Sequence, residues 1–347
     1  MTDAATDLAA NPSALLPFLR QAGLAQVDET PDIVPLTGGV SSTILKVSLR
    51  SGTVCVKQAL AKLKVEKDWH APVDRVFAEI EWLNLAGQLV PGHVPVVLAQ
   101  SRELRAFVMP YLEPEQHPNW KAQLLLGHTD ATVAARLGTV LGTIHAKTSS
   151  NPLIAAQFAH QHDFVALRLE PYLLETARQH PDLADIINDI DRATRDHPLA
   201  LIHGDISPKN ILIGAQGAII LDAECATYGD PAFDLAFVLN HLLLKSIHRP
   251  QNQQAYQQLF DQLLSTYLPQ VCWESVAQFN SRTARLLPAL LLARVDGKSP
   301  VEYLTEAART LVRHAARELI SAPVDSLQVL SRRFAKLIGV TTLKSRK

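Results

Sequence analysis

Asp205, Asn210 and Asp222 stand five and twelve positions apart inside one segment, residues 201–236, LIHGDISPKNILIGAQGAIILDAECATYGDPAFDLA. Phosphoryl transfer asks a protein for little more than this: a carboxylate to align an attacking hydroxyl, oxygen ligands for magnesium, and rigid backbone between them. Gly204 permits a turn that bulkier residues resist, and Asp205 behind it can accept a hydrogen bond from an acceptor hydroxyl. Asn210 is neutral and oxygen-bearing, suited to magnesium without adding charge. Asp222 closes the apolar run 218–221, so its side chain emerges at a strand end, placed to bridge magnesium and nucleotide phosphates. Glu224, two positions after Asp222, either reaches the same face and contacts a second magnesium, directly or through water, or pairs at the surface with a basic neighbour. Asp230, ahead of Pro231, either tightens the turn or caps a helix.

These groups need a scaffold, and the patterning supplies two kinds. Residues 33–36, 43–49 and 53–57 read as strands, the last two joined by the Arg50-Ser51-Gly52 turn. Residues 94–98 and 106–109 read as two more. Residues 1–30 hold one short helix, with Leu15, Leu16, Phe18 and Leu19 on one side, and 68–89 is helical. Beyond Pro114 helices are predicted at 131–148, 164–179, 181–194, 234–244 and 251–267, with several more from 274 onward. The expectation is an α+β chain in two lobes. The small antiparallel β-rich lobe covers 1–112, with 1–30 as a helical extension, and the large helical lobe covers 113–347.

Bulk properties narrow the classes. With 347 residues, 47% apolar, 19% charged and a formal net charge of −1, the chain has the length for two packed lobes. It lacks the basic surplus of a nucleic-acid binder. No apolar run is long enough to cross a bilayer, and the N-terminus has no basic-then-apolar leader. Cys55, Cys225 and Cys272 are odd in number and far apart, which predicts free thiols in a reducing cytoplasm. The His-rich piece 160–163 has no second ligand cluster at zinc spacing and reads as a solvated connection.

The motif His203-Gly204-Asp205-(x)4-Asn210, then Leu221-Asp222, then Gly229-Asp230-Pro231-(x)2-Asp234-Leu235-Ala236, resembles the aminoglycoside phosphotransferase-like kinases. Choline, methylthioribose, homoserine and fructosamine kinases share that superfamily and its protein-kinase-like bilobal fold. The likeness runs over about residues 30–240, and Leu137-Gly138-(x)2-Leu141-Gly142-(x)2-His145 resembles the helix that precedes the catalytic loop there. It implies ATP and Mg²⁺ as cofactors and a small-molecule acceptor. It implies Asp205 as catalytic base, Asn210 and Asp222 as metal ligands, and Asp234 as an anchor for loop amides. Asp222-Ala223-Glu224 departs from the Asp-Phe-Gly of protein kinases; methylthioribose kinases are similar in having an acidic residue there. In the small lobe Lys57, at a strand end, corresponds to the phosphate-contacting lysine. Its partner is a glutamate on the following helix: Glu66, Glu79 and Glu81 compete, and the spacing to Pro91 favours Glu79. Gly38, Gly39, Ser41 and Ser42 are similar to that family's loose phosphate loop, where small residues let amides and hydroxyls approach phosphate oxygens. Met109, Pro110 and Tyr111 resemble the hinge that pairs with adenine, though a plain strand end explains them too.

The acceptor is read from charge. Residues 245–347 hold fifteen Lys or Arg against seven Asp or Glu, the wrong sign for a polycationic aminoglycoside. A neutral or anionic sugar-like hydroxyl compound fits better. Arg294, Asp296 and Lys298 surround Gly297 between two helices, either as an acceptor-binding turn or as a capping loop. The competing functions are an aminoglycoside O-phosphotransferase and a non-catalytic nucleotide-binding pseudokinase.

Overall fold

A computed structural model describes residues 7–36, 42–60 and 74–344. Five antiparallel strands form the first sheet: β1 Asp32–Pro35, β2 Ser42–Leu49, β3 Gly52–Ala59, β4 Ala99–Ser101 and β5 Ala106–Pro110, in the order β1-β2-β3-β5-β4. Alternation along β3 and β5 sends side chains to two different cores. Val54, Val56 and Val108 pack with Leu8 and with Leu15 and Leu19 of helix α1, Leu15–Gln21. Ala59 and Phe107 face the other way, onto helix α2, Arg75–Leu89, through Val76, Ile80 and Leu83. That second core runs without a break into the helical half of the chain.

The strand expected at 94–98 forms later, at Ala99–Ser101. Pro95 has no N–H to give to a ladder, and Val96 is 66% exposed where an interior strand would bury it. Leu98 still donates its N–H to the Val108 carbonyl at 2.8 Å, so the segment approaches the sheet before pairing with it.

The helical half holds α3 Trp120–Leu126, α4 Ala131–Thr148, α5 Pro152–Gln157, α6 Gln161–Phe164, α7 Glu175–Gln179 and α8 Ala184–Arg195. After these come α9 Pro231–His248, α10 Gln253–Tyr267, α11 Val276–Asp296, α12 Glu306–Ser321 and α13 Leu327–Lys344. Helix α9 is buried on every side from Pro231 to Ile247, between α10 and α11. Gly138 lets α4 and α10 close on each other, for a Cβ there would lie 2.5 Å from the Leu263 carbonyl oxygen. The expected helix at 164–179 is not uniform. Val165–Leu174 is a π-helix, wider than an α-helix, with Pro171 inside it. Two short ribbons complete the fold: β6 Ala200–Ile202 with β9 Thr227–Gly229, and β7 Ile211–Gly214 with β8 Gly217–Ile220. They frame the loop that carries Asp205. Among the described residues no helix is long and apolar enough to cross a membrane.

Candidate active site

The loop between β6 and β7 is held from below by Asp234, at the start of α9. One oxygen of this fully buried carboxylate accepts the His203 N–H at 2.7 Å and the other accepts the Gly204 N–H at 2.8 Å. His145 of α4 lies 3.3 Å away through Nε2, with its Nδ1 2.6 Å from the Tyr267 hydroxyl. His203 supports the loop from inside. Its Nδ1 accepts the Asp205 N–H at 3.1 Å, so Nε2 carries the proton and donates to the Leu221 carbonyl at 3.0 Å. Burial pushes this imidazole below its usual range, and its ring meets Trp82 edge-on. The neutral form is the one these contacts need.

Gly204 has φ +76°, and a Cβ there would sit 2.5 Å from the Cys225 carbonyl oxygen. Gly204→Ala combines left-handed strain with a backbone clash, and a loss on the order of 2 kcal/mol or more is expected. A thermal unfolding midpoint equal to that of the parent chain would contradict this packing.

Asp205 is 2% exposed. Arg168 of the π-helix approaches it at 2.7 Å, Lys209 at 3.2 Å, and Asn210 donates to it at 2.9 Å. The nearest approach of each is to Oδ2. Burial would raise the pKa of this carboxyl, but Arg168 and then Lys209 outweigh it and hold the group below the usual carboxylate range. Asp205 is therefore an anion at neutral pH. Sequence reading missed Arg168, whose one signal is an arginine inside the apolar run 164–174.

Asn210 ends a 3-10 turn, Pro208–Asn210, and its Nδ2 also donates to the Asp205 carbonyl at 3.0 Å. With the amide nitrogen spent on Asp205, the Asn210 side-chain oxygen is the group left to a ligand. Asp222 takes φ +68°, a strained conformation that aspartate tolerates better than most residues and that concentrates at functional sites. It forms a direct ion pair with Lys57. Burial opposes its ionisation, yet Lys57 and Lys209 keep it well below the usual carboxylate range.

Lys57, on β3, is 5% exposed and bridges the two lobes. It donates to both Glu79 oxygens, at 2.6 and 2.8 Å, as well as to Asp222. Burial works against its charge, but the two carboxylates prevail and lift it above the usual lysine range. Glu79 of α2, the glutamate favoured on spacing, is 2% exposed and raised to about 7 by burial, against the pull of Lys57. Glu81, its competitor, lies instead 3.4 Å from Gln157; Glu66 lies outside the described residues. Glu224 is buried and its Oε2 accepts from Arg75 Nε at 2.9 Å, the basic-neighbour arrangement, in the interior rather than at the surface.

Of the phosphate-loop residues, Gly38, Gly39 and Ser41 lie outside the described residues. Ser42 opens β2, buried, opposite Ala59. At the hinge Met109 pairs with Cys55, and Tyr111 gives its N–H to the Thr53 carbonyl at 3.2 Å while its ring lies under Lys46, 4.2 Å away. The three acceptor candidates are not brought together. Arg294 lies against Tyr172, 3.1 Å from its hydroxyl, and also contacts Ser299. Asp296 is committed to Arg313 at 2.7 Å and to His180 at 2.8 Å, which ties α11 to α12 and α7. Lys298 is 3.8 Å from Glu170. Asp296 thus acts as a stay of the helical lobe, while Arg294 and Lys298 both lie beside the π-helix that carries Arg168, at Tyr172 and at Glu170.

A family model described as a phosphotransferase enzyme family matches residues 32–269. Two proteins named methylthioribose kinase, from Erwinia tasmaniensis and Pectobacterium atrosepticum, are 26% and 25% identical to this chain over 57% and 64% of its length. The matches span only 55% and 62% of those relatives. Among solved structures, a spectinomycin phosphotransferase in complex with ADP and spectinomycin is similar at TM-score 0.51 and 13% identity, over 96% of this chain and 98% of that one. An amicoumacin kinase in complex with AMP-PNP and Ca²⁺ gives 0.52 and 13%, over 90% and 95%. At such identities these two show the bilobal fold.

Proposed function

Because the chain belongs to the phosphotransferase enzyme family, we propose that it transfers the γ-phosphoryl group of ATP, with Mg²⁺, to a hydroxyl of a small sugar-like acceptor. The observation that carries this reading is Asp205: an ionised, buried carboxylate whose nearest cationic and amide contacts fall on Oδ2. Oδ1 is then the oxygen disposed to accept the acceptor's O–H and aim its lone pair at phosphorus. A carboxylate of low basicity suits a loose transition state, in which orientation matters more than early proton removal.

The donor set fits magnesium. Asp222 and the free oxygen of Asn210 are hard ligands, and Mg²⁺ is commonly held by one or two protein oxygens together with phosphates and water. When bound, the ion would neutralise charge between β- and γ-phosphates. Lys57, kept cationic and aligned by Glu79, would contact the same phosphates. Gly38, Gly39, Ser41 and Ser42 would cover them, and Met109 and Tyr111 would flank adenine. Glu224 has one oxygen on Arg75 and would offer the other to a second ion.

Relatives named methylthioribose kinase support a sugar-like acceptor. Mg²⁺-dependent ADP formation, measured with ribose, methylthioribose, choline, homoserine and kanamycin, tests the reading. A chain that neither binds AMP-PNP in the presence of Mg²⁺ nor forms ADP would overturn it.

A further inference from the structure

Beyond the loop that Asp234 anchors, α9 continues with Phe237, His241 and Lys245 along one stripe, at helical spacing. Tyr172, one turn after Arg168 on the π-helix, packs its ring on Phe237 at 5.5 Å, and Phe237 packs on His241 at 5.5 Å. Arg168 on Asp205 and Tyr172 on Phe237 thus lie one turn apart on the same helix, and Phe237 leads on to His241. The charges that act most strongly on His241 are all positive. Burial and then Lys245, Arg294, Lys209 and Lys121 all push its imidazole well below the usual range.

Lys245 is 1% exposed, and among the described residues no carboxylate lies within ion-pairing distance of it. Glu302 is near enough to act on it, but this carboxylate is mostly exposed and held by Lys121 at 2.5 Å. Burial, Lys121 and Arg294 together lower the ammonium to about 7. Three buried polar atoms at this place lack a hydrogen-bond partner among the described residues: His241 Nδ1, Arg294 Nε and the Tyr303 hydroxyl. The ring of Tyr303 lies 5.1 Å from Lys245 Nζ. A cation–π contact offsets only part of the cost of desolvating an unpaired ammonium. Packing alone leaves these groups unexplained. All four can act as hydrogen-bond donors, the groups an anion would use.

We infer that this cluster binds an anionic group of the acceptor, so that the substrate is a small hydroxyl compound bearing a carboxylate or a phosphate. Lys245, Arg294 and the Tyr303 hydroxyl grip that group, and the reacting hydroxyl is presented to Asp205. The placement of the hydroxyl rests on the kinase reading; the anion site stands on its own geometry.

The test uses the full chain with MgADP present to fill the nucleotide site. Thermal midpoints are followed against D-glycerate, glycerol 3-phosphate, ribose, choline and kanamycin, for the parent chain and for Lys245→Met and Arg294→Met. Lys245→Met removes a buried charge and will fold with an equal or higher midpoint. At least one anionic probe is expected to stabilise the parent chain, with half-saturation shifted tenfold or more in Lys245→Met; glycerate and glycerol 3-phosphate separate a carboxylate from a phosphate site. The inference is overturned if neither anion stabilises the parent chain, or if both variants respond as the parent does. It also fails if a neutral or cationic acceptor is phosphorylated with a KM that Lys245→Met leaves unchanged. Lys245-dependent binding of an anion without Mg²⁺-dependent ADP formation would instead sink the kinase reading and leave the anion site standing.

Discussion

Asp205→Asn will lower acceptor phosphorylation by about 10²–10⁴-fold and leave AMP-PNP affinity nearly unchanged. The substituted side chain keeps its shape but loses the charge that accepts and aligns the acceptor hydroxyl. It also leaves Arg168, whose side chain is only 8% exposed, facing a neutral amide. Removing one partner of a buried ion pair costs about 3–5 kcal/mol, so the unfolding midpoint will fall too, and rates must be read well below it. A double substitution separates the two effects. Adding Arg168→Met to Asp205→Asn restores much of the stability and none of the rate. If the single variant retains parental turnover, Asp205 is not the aligning group and the chemistry lies elsewhere.

Asp234→Ala is expected to destabilise the chain by on the order of 4 kcal/mol, because it strands two buried backbone donors, at His203 and Gly204, each costing about 1–3 kcal/mol or more. His145 loses its acidic neighbour as well. Asp234→Asn keeps oxygen for one donor only and should fall between the two. Urea denaturation gives the comparison, and a midpoint within error of the parent would show that the loop is not suspended from α9. Turnover will fall in step, because the suspended peptide units fix Asp205.

The residues that meet at the centre were legible because their chemistry is local. Asp205, Asn210 and Asp222 occupy one short segment, and Lys57 and Glu79 lie on a strand and helix whose periodicities are clear. Burial made the choice among glutamates visible, since Glu79 faces inward and Glu81 is partnered by Gln157 at the surface. The acceptor side was harder to read. Arg168 and Lys245 each sit in an apolar helix where periodicity marks core, and nothing in the neighbouring letters says that Arg168 meets Asp205 or that Lys245 is buried beside Tyr303. Arg294, Asp296 and Lys298 looked like one turn. Their contacts diverge because α11 ends there: Arg294 and Lys298 meet the π-helix at Tyr172 and Glu170, while Asp296 turns to Arg313 and His180. The strand placed at 94–98 failed on register, a property set by the neighbouring strand and not by apolar content.

The wide helix Val165–Leu174 joins Arg168, which touches Asp205, to Tyr172, which touches Arg294. It therefore sets the separation between the Asp205 loop and Arg294. Its length matters: deleting one residue between Arg168 and Tyr172 would shift Tyr172 along and around the axis relative to Arg168 and disturb that separation. Insertions or deletions in this one helix would therefore change the spacing between the Asp205 loop and Arg294 while leaving the loop itself untouched.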